Sequence, residues 1–197
     1  MEKRKRTLWI VTELFPPDET STAYIMGEIA NTFVSKYKVK VICGSEVYDK
    51  RKKIDQNNAF KTNASIEVIR AHSVNLDKNT IKGKVLGFLL VSHRLLKLAK
   101  RHIQKEDKVL MVTNPAPLVI LMSCLKKKIG FELNILVHDV FPENTIPAGV
   151  KLFAYEYLKQ LFDKAYSRAD RLIVLGRDME KVMREKVAPF CTRNHNY

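Results

Sequence analysis

Hydrophobic and polar positions along the chain follow two alternating rhythms. Short apolar runs rich in β-branched residues recur, and between them apolar residues return every three or four positions. Residues 8–12 predict a first strand that leads into a Pro-Pro loop. From Ser21 onward Met26, Ile29, Ala30, Phe33, Val34 and Tyr37 fall at helical spacing, with Ser21 or Thr22 placed to cap. Val39, Val41 and Ile42 predict strand two, closed by Gly44, and residues 66–71 predict strand three. The polar connection 46–63 carries Asp49-Lys50-Arg51-Lys52-Lys53 and Asn57-Asn58 and is expected to be mobile. A long helix at 84–103, a strand at 109–113 and a helix at 118–129 follow. A strand at 133–137, a helix at 150–169, a strand at 172–175 and a helix at 178–187 complete the pattern.

Strand, helix, strand in repetition means parallel strands joined by right-handed crossovers, with helices on both faces. The expected fold is α/β: one doubly wound, mostly parallel Rossmann-like sheet over residues 1–187, followed by a tail at 188–197, with no internal repeat. In such a sheet ligands bind beyond the carboxyl ends of the strands, near the point where strand order reverses. The loops at 13–22, 44 onward, 72–75, 113–117, 138–149 and 176–178 therefore carry the functional weight.

Composition narrows the classes. With 46% hydrophobic and 28% charged residues among 197, and seven each of Gly and Pro, the chain is globular rather than collagen-like, low-complexity or largely disordered. Lys and Arg number 35 against 21 Asp and Glu, a net +14. That charge suits an anionic partner: nucleic acid, an anionic bilayer surface or a phosphorylated ligand. A merely solubilising surface is the alternative. Cys43, Cys124 and Cys191 are widely spaced, without zinc-ligand spacing, which points to reduced thiols in a cytosol. The apolar run behind the basic start is too short for a secretory signal, and no stretch approaches the roughly 18 apolar residues of a membrane span.

Candidate chemistry sits in the strand-end loops. The first loop holds neither G-x-G-x-x-G nor G-x-x-x-x-G-K-[ST], yet it feeds a helix amino end that favours an anion. The hydroxyls of Thr20, Ser21 and Thr22 could bind phosphate or sugar, or could simply cap the helix. Val137-His138-Asp139-Val140-Phe141-Pro142-Glu143 clusters an imidazole and two carboxylates at the end of a buried strand. A carboxylate there could hold a substrate hydroxyl, orient His138 or take a proton; equally, Asp139 could cap a turn and Glu143 be solvated. No G-x-S-x-G elbow supports a serine triad. Asn114, in Thr113-Asn114-Pro115-Ala116-Pro117, could donate to a bound hydroxyl, while Pro117 suits a helix start. Between Lys82 and Arg101, apolar residues mix with cations, which fits an interfacial helix or a core helix whose basic side chains face water.

Four segments in order, Phe15-Pro16-Pro17 with its following helix, Asn114-Pro115-Ala116-Pro117, His138-Asp139-Val140-Phe141-Pro142-Glu143 and Arg168-Ala169-Asp170-Arg171-Leu172-Ile173-Val174-Leu175, resemble the amino-terminal domain of family 4 glycosyltransferases. The last two resemble the "D-hydrophobic-aromatic-P-E" and "A-D-x-hydrophobic" segments of the branch that builds bacterial surface polysaccharides. The resemblance implies one half of a GT-B enzyme, the half that mainly binds the acceptor. It implies transfer of a sugar from a nucleotide-sugar co-substrate with retention, with no cofactor and no bound metal; the chain agrees in having no D-x-D pair. Two departures stand out: the first loop lacks the family's glycines, and no glutamate pair has the E-x7-E spacing of the donor domain, which is expected to be absent after residue 187.

The leading expectation is therefore the acceptor-binding half of a retaining glycosyltransferase acting on a lipid-linked or polysaccharide acceptor. It would be cytoplasmic, peripheral to the inner membrane face, and nearly inactive as an isolated chain. Asp139 and His138 would hold the reacting sugar or acceptor hydroxyl, Glu143 would support them, and Thr20, Ser21, Thr22 and Asn114 would bind around the cleft. The alternative is a non-catalytic module that recruits a separate donor-binding subunit or an anionic membrane, which an exposed apolar face on Met179, Val182 and Met183 would favour. A nucleic-acid binder ranks third, because no known binding fold or stacking motif accompanies the basic residues.

Overall fold

The computed structural model describes residues 6–45, 60–72, 81–146, 149 and 154–190. Most of the connection expected to be mobile, at 46–63, lies outside them. In chain order the elements are β1 (Thr7–Val11), α1 (Ser21–Phe33), β2 (Lys38–Cys43), β3 (Glu67–Arg70), α2 (Ile81–His102), β4 (Lys108–Val112) and α3 (Ala116–Ile129). They continue with β5 (Glu132–Val137), a 3-10 turn at Glu143–Thr145, α4 (Tyr155–Tyr166), β6 (Arg171–Val174), α5 (Arg177–Val187) and a 3-10 turn at Ala188–Phe190.

The strands form one parallel six-stranded sheet in the order β3-β2-β1-β4-β5-β6. This is the α/β Rossmann-like arrangement expected, with its reversal of strand order between β1 and β4. Alternation along β1 decides which side chain meets which layer. Leu8 and Ile10 point to a core shared with Met26 and Ala30 of α1, whereas Trp9 and Val11 point to the opposite core. That second core is the larger and takes in Leu95 and Ala99 of α2, Leu118 and Met122 of α3, Phe162 and Tyr166 of α4, and Met183 of α5. Helices thus cover both faces, unequally: α1 packs on one, and α2 to α5 on the other.

The amino edge of the sheet is fixed by two aspartates. Asp107 accepts from the indole Nε1 of Trp9 at 2.9 Å and from the backbone N–H of Gln104 at 2.8 Å. Asp170 accepts from the Leu133 N–H at 2.6 Å, donates its own N–H to the Leu133 carbonyl at 2.8 Å and pairs with Lys126 at 2.8 Å. The Ala169-Asp170 segment, one of the four that carry the resemblance, therefore sets strand register on the edge away from the expected binding rim.

Two local expectations are corrected, and the condition set for the alternative reading is not met. The cap of α1 is Thr20, not Ser21 or Thr22: its backbone is extended and its Oγ1 accepts from the Ala23 N–H at 3.2 Å. The helix expected at 150–169 is described only as Tyr155–Tyr166, and residues 150–153 lie outside the described set. Its early end follows from Asp170: Ser167, Arg168 and Ala169 turn back on helix carbonyls so that Asp170 can reach β5. The apolar residues of α5 do not form an exposed face either. Met183 is buried and Met179 packs against the core, leaving Val182 exposed.

Candidate functional site at the carboxyl edge of the sheet

Each parallel strand ends at the same edge, so the loops after β1, β4 and β5 lie side by side there. Helices α1 and α3 leave β1 and β4 toward opposite faces at the switch point, the place where open α/β sheets bind their ligands. All three loops contain a cis X-Pro bond, at Pro16-Pro17, Asn114-Pro115 and Phe141-Pro142.

Thr113 is the centre of the arrangement. It is buried at the end of β4, and its Oγ1 accepts from the backbone N–H groups of both His138 and Asp139 at 3.2 Å. A single hydroxyl thus satisfies two amides that leave the β5 ladder and holds the His138-Asp139 turn beside Asn114. Beyond it, Val140 and Phe141 pack into the large core, with the Phe141 ring 4.6 Å from that of Phe162. Anchored on both sides, the loop presents Asp139 to solvent and keeps His138 half-buried. Burial lowers the His138 imidazole below its ordinary value of 6.5, and the neighbouring Asp139 carboxylate opposes that shift. At neutral pH His138 is therefore an uncharged imidazole, able to accept a hydrogen bond on one nitrogen and donate from the other.

Glu143 faces elsewhere. Its carboxylate accepts from the ammonium of Lys186 at 2.7 and 2.8 Å and lies 3.9 Å from Lys159. Lys186, on α5 and almost wholly buried, also pairs with Asp163 of α4 at 2.5 Å, and Asp163 pairs in turn with Lys159 at 2.8 Å. Two cations and two carboxylates form a balanced cluster that ties the loop after β5 to α4 and α5. The contacts of Glu143 are thus with α5 and α4, on the loop that also carries His138 and Asp139.

On the other side of the switch point, the first loop is braced from β2 and β3. The Gly44 N–H donates to the Glu13 carbonyl at 2.9 Å, and a Cβ on Gly44 would stand 2.5 Å from that oxygen, so only glycine permits the approach. Arg70 of β3 donates from its guanidinium to the Pro16 carbonyl. Thr20 spends its oxygen on the cap, Ser21 is exposed and Thr22 half-buried.

The structure therefore gathers His138, Asp139 and Asn114 around Thr113, sets Thr20 to Thr22 at the start of α1 across the switch point, and turns Glu143 toward α5. Residue types alone did not single out Thr113, Lys186 or Asp163. The Lys159–Asp163 spacing of four was a readable helix pair; nothing in the sequence tied Lys186 to Glu143, 43 positions away. Among the described residues no group of three His, Cys, Asp or Glu side chains could hold a metal ion.

No protein-family model matches the chain. A curated relative, the probable glycosyltransferase WbjE of Pseudomonas aeruginosa, is 50% identical over 95 residues, 47% of this chain and 24% of that protein. The chain has a glycosyltransferase relative. Among solved structures, TcCGT1 in complex with UDP superposes with a TM-score of 0.56 at 10% identity, over 94% of this chain and 49% of that one. A UDP-glucosyltransferase from Polygonum tinctorium capable of glucosylating indoxyl, solved with 3,4-dichloroaniline, superposes with a TM-score of 0.54 at 10% identity, over 96% and 50%. At that identity the likeness is one of fold: the six-stranded sheet and its helices match one half of each of these proteins. The chain spans about half the length of the structures and a quarter of the curated relative.

Proposed function

We propose that the chain is the acceptor-binding half of a retaining GT-B glycosyltransferase. It would move a sugar from a nucleotide-sugar, without cofactor or metal, to a lipid-linked or polysaccharide acceptor. The observation that carries the reading is the 50% identity to a probable glycosyltransferase, on a fold equal to half of two UDP-linked neighbours. The site supports it in chemical terms. Sugar hydroxyls need acceptors and donors at fixed separations, and the loop held by Thr113, the chain neighbour of Asn114, offers the exposed Asp139 carboxylate and an uncharged His138. Asp139 and His138 hold the reacting sugar or the acceptor hydroxyl, Glu143 fixes their loop, and Asn114 with Thr20, Ser21 and Thr22 binds around the cleft. The net charge of +14 suits an acceptor carried on phosphate at the inner face of a membrane.

The recruiting-module alternative loses its specific support, because Met179 and Met183 pack inward. The test is calorimetric titration of the chain with a short-chain prenyl-phosphate-linked monosaccharide. Asp139→Asn is expected to weaken binding at least about tenfold, the worth of one charged hydrogen bond, while thermal unfolding is unchanged. Equal affinity of the two proteins would remove Asp139 from the site.

A further inference from the structure

Helix α2 is unlike the other helices in what it leaves uncovered. Its second half is an ordinary core helix, with Ser92, Leu95 and Ala99 fully buried. Its first half is not: Val85, Leu86, Phe88 and Leu89 are 54, 47, 41 and 50% exposed. Between Ile81 and His102 there is no acidic residue, while six are Lys or Arg. Steps of three and four residues place Leu86, Leu89, His93, Lys97 and Lys100 on one stripe, and all five are exposed. Among the described residues this stripe is thus apolar over Leu86 and Leu89 and cationic over Lys97 and Lys100. Because α2 follows a parallel strand, its apolar turns start at the carboxyl edge, where the candidate site lies.

We infer that this stripe of α2 docks the protein on an anionic bilayer, apolar end deepest. The inference rests on the proposed function only in taking the acceptor to be membrane-borne. Large apolar side chains without an acidic neighbour are costly in water and favourable at the boundary between headgroups and acyl chains, where such side chains sink about 5–10 Å. Lys97 and Lys100, two and three turns further on, then reach the lipid phosphates, and the charge of the whole chain has the right sign. No helix among the described residues is long and apolar enough to cross the membrane, so the contact is peripheral. A protein partner would need an acidic surface next to an apolar one in the same order; a bilayer offers both everywhere. Arg94 donates to the His72 carbonyl at 2.7 Å, fixing the helix to the end of β3, so the docked helix brings the rim with it.

The test is flotation of the full chain with vesicles of phosphatidylcholine alone or mixed with phosphatidylglycerol, with no sugar or nucleotide present. The chain is expected to float with the mixed vesicles, less so at high salt, and poorly with phosphatidylcholine. Leu86→Glu with Leu89→Glu is expected to reduce binding at least about tenfold, and Lys97→Glu with Lys100→Glu to abolish the preference for phosphatidylglycerol, with circular dichroism unchanged. Undiminished binding by the Glu variants would overturn the proposal. So would a concentration-dependent dimer that the Leu variants dissolve, since the stripe would then belong to a second copy. If flotation fails while Asp139 still governs sugar binding in the calorimeter, the docking face falls and the acceptor site stands.

Discussion

Thr113 shows how much of the site depends on one side chain. Its hydroxyl is the shared acceptor for two amides, and valine has the same shape without it. Thr113→Val is expected to cost about 1–3 kcal/mol in urea unfolding, because a buried acceptor is lost with nothing to replace it. An unchanged midpoint would mean the amides find another partner. His138 gives a second handle. Its titration midpoint, followed by proton NMR, is expected below 6.5, and Asp139→Asn is expected to lower it further, because the carboxylate favours the imidazolium. A rise in that variant would contradict the geometry. Because the folded value is depressed, the unfolded chain takes up this proton first; His138 therefore lowers stability as pH falls from about 7 through 6.5 to the folded midpoint, and no further below it. At this scale the sequence was a partial guide. A His-Asp pair closing an apolar run marks a strand end whatever the tertiary structure, whereas Thr113 looks like any other strand residue until β4 and β5 are paired. The pairing of Glu143 is hidden for the same reason: its partner Lys186 is distant in the chain and on another element.

At the scale of elements, the cluster of Lys186, Glu143, Asp163 and Lys159 joins the loop after β5 to α4 and α5. Removing Lys186 leaves two carboxylates with one cation in a largely dry site. Lys186→Met is expected to destabilise by about 3–5 kcal/mol in urea unfolding, and Glu143→Gln by less, since Asp163 still pairs with Lys186. A loss under about 1 kcal/mol for Lys186→Met would mean that water screens the cluster. Element boundaries were legible wherever periodicity is strong and the ends are set locally. The strand of β5 and the carboxyl end of α3, stopped by Gly130 at φ 87°, are of that kind. They were less legible where a distant contact decides the end, as at Tyr166, whose helix stops so that Asp170 can meet Leu133. The amphipathic α2 was readable as core or as interface, and it proves to be core in one half and exposed in the other, a division that periodicity cannot make.

For the whole molecule, the order of strands is what makes a site. Alternating elements fix a parallel sheet, but the reversal between β1 and β4 is a fact of tertiary pairing, and it sets the loops after β1, β4 and β5 together. The two edges then differ: Asp107 and Asp170 hold the amino edge by hydrogen bonds to the backbone and to Trp9, and the carboxyl edge carries the exposed Asp139 with the half-buried His138 and Asn114, the groups proposed to meet a ligand. The most direct test of that difference is a nitrogen-15 NMR titration of the chain with the short-chain prenyl-phosphate-linked monosaccharide. Shifts are expected at Asn114, His138, Asp139 and the first turn of α1, with Asp107 and Asp170 unmoved; shifts confined to the amino edge, or none at any of these residues, would contradict the account.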